Sequence, residues 1–141
     1  MYELCGKYNG DVAYLEALAE AFVYKWAPQG YWIVDGREHP VEKALGPLVY
    51  DLMPAPWAFT MITKLTQRDM IPPHNDKPLP VGVTRRHLII ATNDNSWCMH
   101  GGTWQQMQAG EVYTMEPQYV HAAINWGATP RIHLVVDTGV E

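Results

Sequence analysis

His121-Ala-Ala-Ile-Asn-Trp-Gly-Ala-Thr-Pro-Arg-Ile-His-Leu-Val-Val-Asp137 contains two short β-rich runs, residues 121–126 and 131–137, divided by Gly127-Ala-Thr-Pro130. A divider of this length suits a hairpin, so the two runs are expected to be antiparallel neighbours. The second run is apolar on both of its alternating faces (Ile132, Leu134 and Val136 on one, Val135 on the other), which predicts a central strand. Working back towards the N-terminus, residues 58–66, 85–92 and 110–115 have the same strand character, so everything after Trp57 reads as β.

The first third of the chain reads differently. Val12, Leu15, Ala19, Phe22, Val23 and Trp26 recur at helical spacing behind Asp11, a residue suited to capping, which predicts a helix over 11–26. Tyr31-Trp-Ile-Val34 predicts an edge strand ended by the turn signal Asp35-Gly36. Pro40 suits a first helical position, and Val41, Ala44, Leu45, Leu48, Val49 and Leu52 share one side before Pro54 and Pro56 stop the helix. His39 falls in the loop before it. The expectation is an α+β, mainly β chain of one domain, with residues 1–56 as helical support and 57–141 as a β-sandwich or barrel.

The chain has 141 residues, 48% of them apolar and 18% charged, enough for a single core and too apolar for disorder. Its formal net charge of −5 and the lack of any basic run argue against a nucleic-acid or membrane-surface partner. Arg85 and Arg86 are adjacent on a strand and point to opposite faces, so they form no basic patch. Cys5 and Cys98 show neither zinc spacing nor a disulfide framework, which fits a reducing cytoplasm. Residues 1–10 carry no signal-peptide pattern, and no apolar stretch approaches the roughly 20 residues that span a bilayer.

His74-Asn-Asp76 is the first stretch with chemical potential. If it is extended, His74 and Asp76 share a face and can reach one cation, and His121 is the best third ligand. Two imidazoles and one carboxylate bind one face of iron(II) and leave the other face open. A polar surface turn is the alternative for His74-Asn-Asp76. Arg131, ten residues after His121, offers a fork that fits the free carboxylate of a cosubstrate, unless it lies at an exposed strand end. Arg85 and His87 share a strand face and can touch the same cosubstrate; the alternative is a rim charge beside a hydrogen-bonded core histidine. His133 shares the face of Arg131 and is expected to support the site rather than bind metal. Residues 93–108, rich in turn formers, read as a loop at the barrel mouth, with Trp97, Trp104 and Met107 as a substrate wall or an outer cap of the core. Cys98 and His100, in the same stretch, are given no role.

Taken in order, His74-x-Asp76, Arg85-x-His87-Leu88, Gly110-Glu-Val112, His121 with Asn125, and Arg131-Ile-His-Leu134 with Asp137 resemble the aspartyl/asparaginyl β-hydroxylase family. The resemblance covers roughly residues 61–137 and leaves the two helices outside. It implies a cupin-like double-stranded β-helix, or jelly roll, that depends on iron(II) and 2-oxoglutarate. It further implies that His74 and His121 bind iron, that Arg131 pairs with the distal carboxylate of 2-oxoglutarate, and that Arg85 and His87 lie near that cosubstrate. Asp76 stands where the family's vertebrate members lack an acidic ligand and where the wider superfamily keeps one. His121-Ala-Ala-Ile-Asn125, after Gly110 and Pro117, also looks like the second cupin motif.

The expected function is therefore a dioxygenase that hydroxylates an amino-acid side chain, free or in a polypeptide, and releases succinate and carbon dioxide. The partners implied are dioxygen, 2-oxoglutarate and an amino-acid, peptide or protein substrate. Two other readings use the same fold. A cupin isomerase or a dioxygenase without cosubstrate needs the ligands but no buried Arg131, and a non-catalytic binding module keeps the barrel without turnover.

Overall fold

A computed structural model describes residues 1–22, 31–34 and 40–139. In chain order the described elements are β1 (Glu3–Lys7), α1 (Val12–Glu20), β2 (Tyr31–Val34), α2 (Pro40–Val49), β3 (Trp57–Leu65) and β4 (Met70–His74). They continue with β5 (Val83–Ala91), β6 (Ser96–His100), β7 (Thr103–Gln105), β8 (Glu111–Met115), β9 (His121–Asn125) and β10 (Arg131–Gly139). The strands form a major sheet in the order β1-β8-β5-β10-β3-β2 and a minor sheet in the order β4-β9-β6-β7. All neighbours described are antiparallel.

The helices cover the outer face of the major sheet. Asp11 caps α1, its side chain accepting from the backbone N–H groups of Ala13 at 3.0 Å and Tyr14 at 3.4 Å. Leu15 and Ala19, four residues apart, are fully buried, as are Val41, Leu45 and Val49 along α2. They pack with Ile62, Leu88, Ile90, Ile132, Leu134 and Val136, alternate residues of β3, β5 and β10. The other alternate residues of these strands point into the space between the sheets, where Leu65 and Ile89 join Cys98, Met107, Tyr113 and Ala123 in a second apolar cluster. Strand β10, paired with β3 on one side and β5 on the other, is buried from Arg131 to Thr138. This is the central strand that its apolar pattern predicts.

Several expectations need correction. Strands β9 and β10 are not a hairpin: β9 pairs with β4 and β6 in the minor sheet, whereas β10 lies in the major sheet. Residues 127–130 form a corner between sheets, which link length alone cannot distinguish from a hairpin turn. The corner is pinned by Asn125, fully buried, whose Nδ2 donates to Leu65 O and Thr129 O. Its Oδ1 accepts from Gly127 N, Ser96 Oγ and Asn93 Nδ2. Residues 93–108 are not a loop but contain β6 and β7, with Cys98, Met99 and Met107 buried. The N-terminus, in which no element was expected, supplies β1 to one edge of the major sheet. Helix α1 stops at Glu20; the positions of Val23, Trp26, Asp35, Gly36 and His39 lie outside the described residues. Among the described residues no helix is long and apolar enough to cross a membrane.

Because Asn125→Ala would strip five hydrogen bonds from the corner and leave buried partners unsatisfied, we expect it to destabilise the fold by about 3 kcal/mol. Urea unfolding of the variant against wild type measures this; a loss within about 0.5 kcal/mol would show that the corner holds without the amide.

Candidate metal centre and cosubstrate pocket

Strand β4 ends in Met-Ile-Pro-Pro-His, and proline, with no N–H to donate, is tolerated here because β4 is the edge of the minor sheet. Its pairing with β9 slips: Ile71 faces Ala123, but His74 rather than Pro73 faces His121. The extra residue is a bulge, and it reverses the alternation so that His74 points inwards beside His121. Asp76, just past the strand, is tied down by its backbone N–H, which donates to Pro117 O at 2.8 Å. One nitrogen of each ring and one carboxylate oxygen of Asp76 lie within 4.8 Å of one another. His121 Nε2 is 3.5 Å and His74 Nε2 is 3.9 Å from Asp76 Oδ2.

Backbone carbonyls set the tautomers. His74 Nδ1 is 2.8 Å from Pro72 O and His121 Nδ1 is 2.8 Å from Tyr119 O. A carbonyl only accepts, so each Nδ1 carries the hydrogen and each Nε2 turns a lone pair towards Asp76, as a metal ligand requires. Burial also pushes the His121 imidazole below its ordinary pKa and favours the neutral ring. Neutral imidazoles with a carboxylate are a donor set suited to iron(II).

Behind this cluster a cavity of about 680 Å³ opens between the sheets. Arg131 lies in its wall, 2% exposed. Its Nη1 donates to Thr63 Oγ1 at 2.7 Å and its Nη2 to Cys98 Sγ at 3.7 Å, while Nε has no partner. Among the described residues no carboxylate pairs with this guanidinium, although burying an unpaired charge is costly by several kcal/mol. An anion in the cavity would neutralise it. The alternative for Arg131, an exposed strand end, is thus excluded.

Arg85 and His87 both line the cavity. Arg85 holds Asp137 with two hydrogen bonds, Nε to Oδ1 at 2.7 Å and Nη2 to Oδ2 at 3.0 Å, and turns Nη1 to Asp76 Oδ2 at 3.4 Å. His87 Nδ1 and His133 Nδ1 are 3.2 Å apart, so one donates and the other accepts. His133 does not line the cavity and backs His87, as a supporting residue should. Sequence reasoning missed Thr63, Asp137 and Tyr2 as site residues. Asp137 had a legible signal: alternation puts it on the inward face with Arg131 and His133, where a carboxylate needs a partner. Tyr2, 4% exposed, had none.

Of the two readings for Trp97, Trp104 and Met107, a substrate wall or an outer cap of the core, the substrate wall is not there. Trp97 and Trp104 lie on the outer side of the minor sheet, 39% and 45% exposed, and Met107 is in the apolar cluster between the sheets. Alternation along β6 explains this, since Cys98 points inwards and Trp97 therefore outwards. His100 Nε2 donates to Glu116 O at 2.8 Å, and Cys98 accepts from Arg131. Phe59, Met61, Ile71 and Val135 supply the apolar walls instead.

A profile of the aspartyl/asparaginyl beta-hydroxylase family matches residues 14–139. The chain belongs to this family. The match takes in α2, most of α1 and the strands from β2 onward, but not β1, which widens the reach of the resemblance beyond residues 61–137. The L-proline cis-4-hydroxylase of Rhizobium meliloti is 30% identical over 80 residues, which are 56% of this chain and 29% of that protein. The matched part thus spans less than a third of that relative's length. The fold is shared with an oxidoreductase of the 2OG-Fe(II) oxygenase family from Burkholderia pseudomallei, at TM-score 0.63 and 14% identity over 91% of this chain and 77% of that one. It is also shared with a Pseudomonas putida prolyl-4-hydroxylase, at TM-score 0.61 and 10% identity over 99% and 92% of the two chains. The architecture is the expected double-stranded β-helix.

The paired imidazoles have a consequence for pH. Burial and the Arg131 guanidinium push His87 and His133 well below the ordinary 6.5, so both are neutral in the folded chain. The unfolded chain binds their protons near 6.5, so this contribution to stability is complete above that pH and is lost as pH falls towards the lowered folded-state values. The urea midpoint of metal-free protein is expected to drop between about pH 7.5 and about pH 5.5, and to drop less in His133→Asn. An equal slope in both proteins would show that His133 takes up its proton in the folded state.

Proposed function

We propose that this chain is an iron(II)- and 2-oxoglutarate-dependent dioxygenase that hydroxylates a C–H bond of an amino-acid side chain, free or within a polypeptide. The observation that carries the reading is Arg131, a buried guanidinium with no carboxylate partner among the described residues, in the wall of the same cavity that His74, Asp76 and His121 border. Family membership and the fold shared with the oxygenases support it.

In this reading His74, Asp76 and His121 hold iron through Nε2, a carboxylate oxygen and Nε2, as the tautomers set by Pro72 O and Tyr119 O allow. Arg131, fixed by Thr63, receives the distal carboxylate of 2-oxoglutarate. Arg85 and His87 border the space that the cosubstrate would fill. Phe59, Met61, Ile71 and Val135 exclude water and shape the rest of the cavity. When bound, iron(II) and 2-oxoglutarate supply the oxidising chemistry, in which dioxygen converts the cosubstrate to succinate and carbon dioxide and hydroxylates the substrate. The chain's contribution is binding, orientation and a dry pocket. A cupin isomerase or a cosubstrate-independent dioxygenase leaves the buried Arg131 without a purpose.

Mixing the protein anaerobically with iron(II) and 2-oxoglutarate is expected to produce a visible metal-to-ligand charge-transfer band; its absence in wild type would sink the reading. His74→Ala and His121→Ala are each expected to abolish metal binding in a titration. Arg131→Met is expected to weaken 2-oxoglutarate binding by roughly 100-fold, the scale of a lost buried charge partner, while metal affinity stays within about threefold. Equal loss of both would make Arg131 a structural residue. Succinate release in the presence of substrate separates the enzyme from a non-catalytic binding module.

A further inference from the structure

Asp137 is an inward-facing carboxylate on a central strand, and the metal reading above gives it no task. It is 6% exposed and stands directly across from Arg85 in the pairing of β10 with β5. The two-point contact uses Arg85 Nε and Nη2, so that one edge of the planar guanidinium is fully engaged. Phe59 lies beneath the plane, its ring centroid 5.3 Å from Arg85 Cζ. The guanidinium is therefore fixed in position and orientation. What remains towards the metal centre is Nη1, at 3.4 Å from Asp76 Oδ2, longer than the bonds to Asp137.

Asp76 Oδ2 is the atom that also faces His121 Nε2 at 3.5 Å and His74 Nε2 at 3.9 Å. It is contested: a metal ion and a guanidinium want the same oxygen. Asp76 is exposed enough to turn, at 45% for its side chain, while Arg85 is mostly buried, at 14%. A free arginine here would close a two-point pair with Asp76, place a full positive charge beside the incoming cation and occupy its ligand. Charge-assisted pairing of that kind is strong at a half-buried site.

We propose that Asp137 is a positioning residue that restrains Arg85 and so keeps Asp76 available to the metal. The proposal rests on the metal reading of His74, Asp76 and His121. Asp137 touches neither metal nor cosubstrate in this scheme; it acts through Arg85 alone. Its charge also cancels that of Arg85, so the triad presents the full negative charge of Asp76 to a cation.

The test is a cycle of variants titrated, as metal-free protein, with manganese(II), and read by the disappearance of the free-ion electron paramagnetic resonance signal. Asp137→Asn releases Arg85 and is expected to weaken manganese(II) binding by about tenfold or more, the scale of one uncompensated charge nearby. Arg85→Gln removes the competitor and is expected to stay within about threefold of wild type; a loss of about tenfold would mean that Arg85 holds Asp76 in place, and would overturn the proposal. The double variant Asp137→Asn/Arg85→Gln is expected to match Arg85→Gln, because with the arginine gone nothing is left to restrain. A double variant as weak as Asp137→Asn would show that Asp137 supports the strands and no more. Should Asp137→Asn alone not fold, Asp137→Ser takes its place in the same cycle, because rescue by Arg85→Gln is read only against a single variant that folds. If wild type binds no manganese(II), the metal reading itself fails; if wild type binds and the cycle shows no rescue, only the role of Asp137 falls.

Discussion

A charged side chain on the inner face of a strand that is covered on both sides has no water to turn to, and β10 puts Arg131, His133 and Asp137 on that face. Each needs an answer from a neighbouring strand. Asp137 finds Arg85 across the sheet, and His133 finds His87, with both rings neutral. Arg131 finds the Thr63 hydroxyl and the Cys98 sulfur, and no carboxylate among the described residues. The exception is the informative member of the series. Two of the three buried groups are resolved within the protein, and the third is the one that the anionic cosubstrate proposed above would answer.

The two sheets divide the labour. The minor sheet provides both imidazoles, on β4 and β9, and the major sheet provides Arg131, Arg85 and His87 on β10 and β5. Cation contacts bridge the gap at two points, from Arg85 to Asp76 and from Arg131 to Cys98. The spacing of the sandwich therefore sets the distance between the His74, Asp76 and His121 cluster and Arg131. The apolar cluster of Leu65, Ile89, Met107 and Tyr113 between the sheets is part of the site for this reason, although none of its side chains need touch a ligand.

Much of this was legible in the residues, because period-two alternation is a strong rule. It correctly predicted a covered strand at 131–137, opposite faces for Arg85 and Arg86, and a shared face for Arg131 and His133. Arg86 indeed turns away, donating to Leu52 O at 2.8 Å, while Arg85 faces the cavity. Alternation failed where the backbone departs from it. The bulge at Pro72-Pro73 immediately precedes His74-Asn-Asp76 and decides which way His74 points, and no local pattern announces which residue is the extra one. The corner at 127–130 failed for a related reason: sequence shows that a chain turns, and not whether it returns to the same sheet. Residues 93–108 misled through composition, since Asn, Asp, Ser and Gly mark the turns around β6 and β7 and conceal how short those strands are.

The distribution of negative charge follows from the same constraint. Asp76 is the one carboxylate among the described residues that line the cavity, and Asp137, its nearest competitor in kind, is spent on Arg85. A second free carboxylate would offer a cation an alternative place to bind and would repel an anionic cosubstrate on its way to Arg131. An arginine left free would do the opposite and claim Asp76. Pairing Arg85 with Asp137 removes both hazards at once, since the pair is neutral as a unit. Among the described residues that line the cavity, one anionic group, Asp76, stands at the imidazoles with the exposed Lys77 next to it in the chain, and the buried cation Arg131 stands in the opposite sheet. On the function proposed above, a site that takes up a cation and an anion side by side uses that polarity, and its buried part is Arg131 with the Arg85–Asp137 pair neutral as a unit beside it.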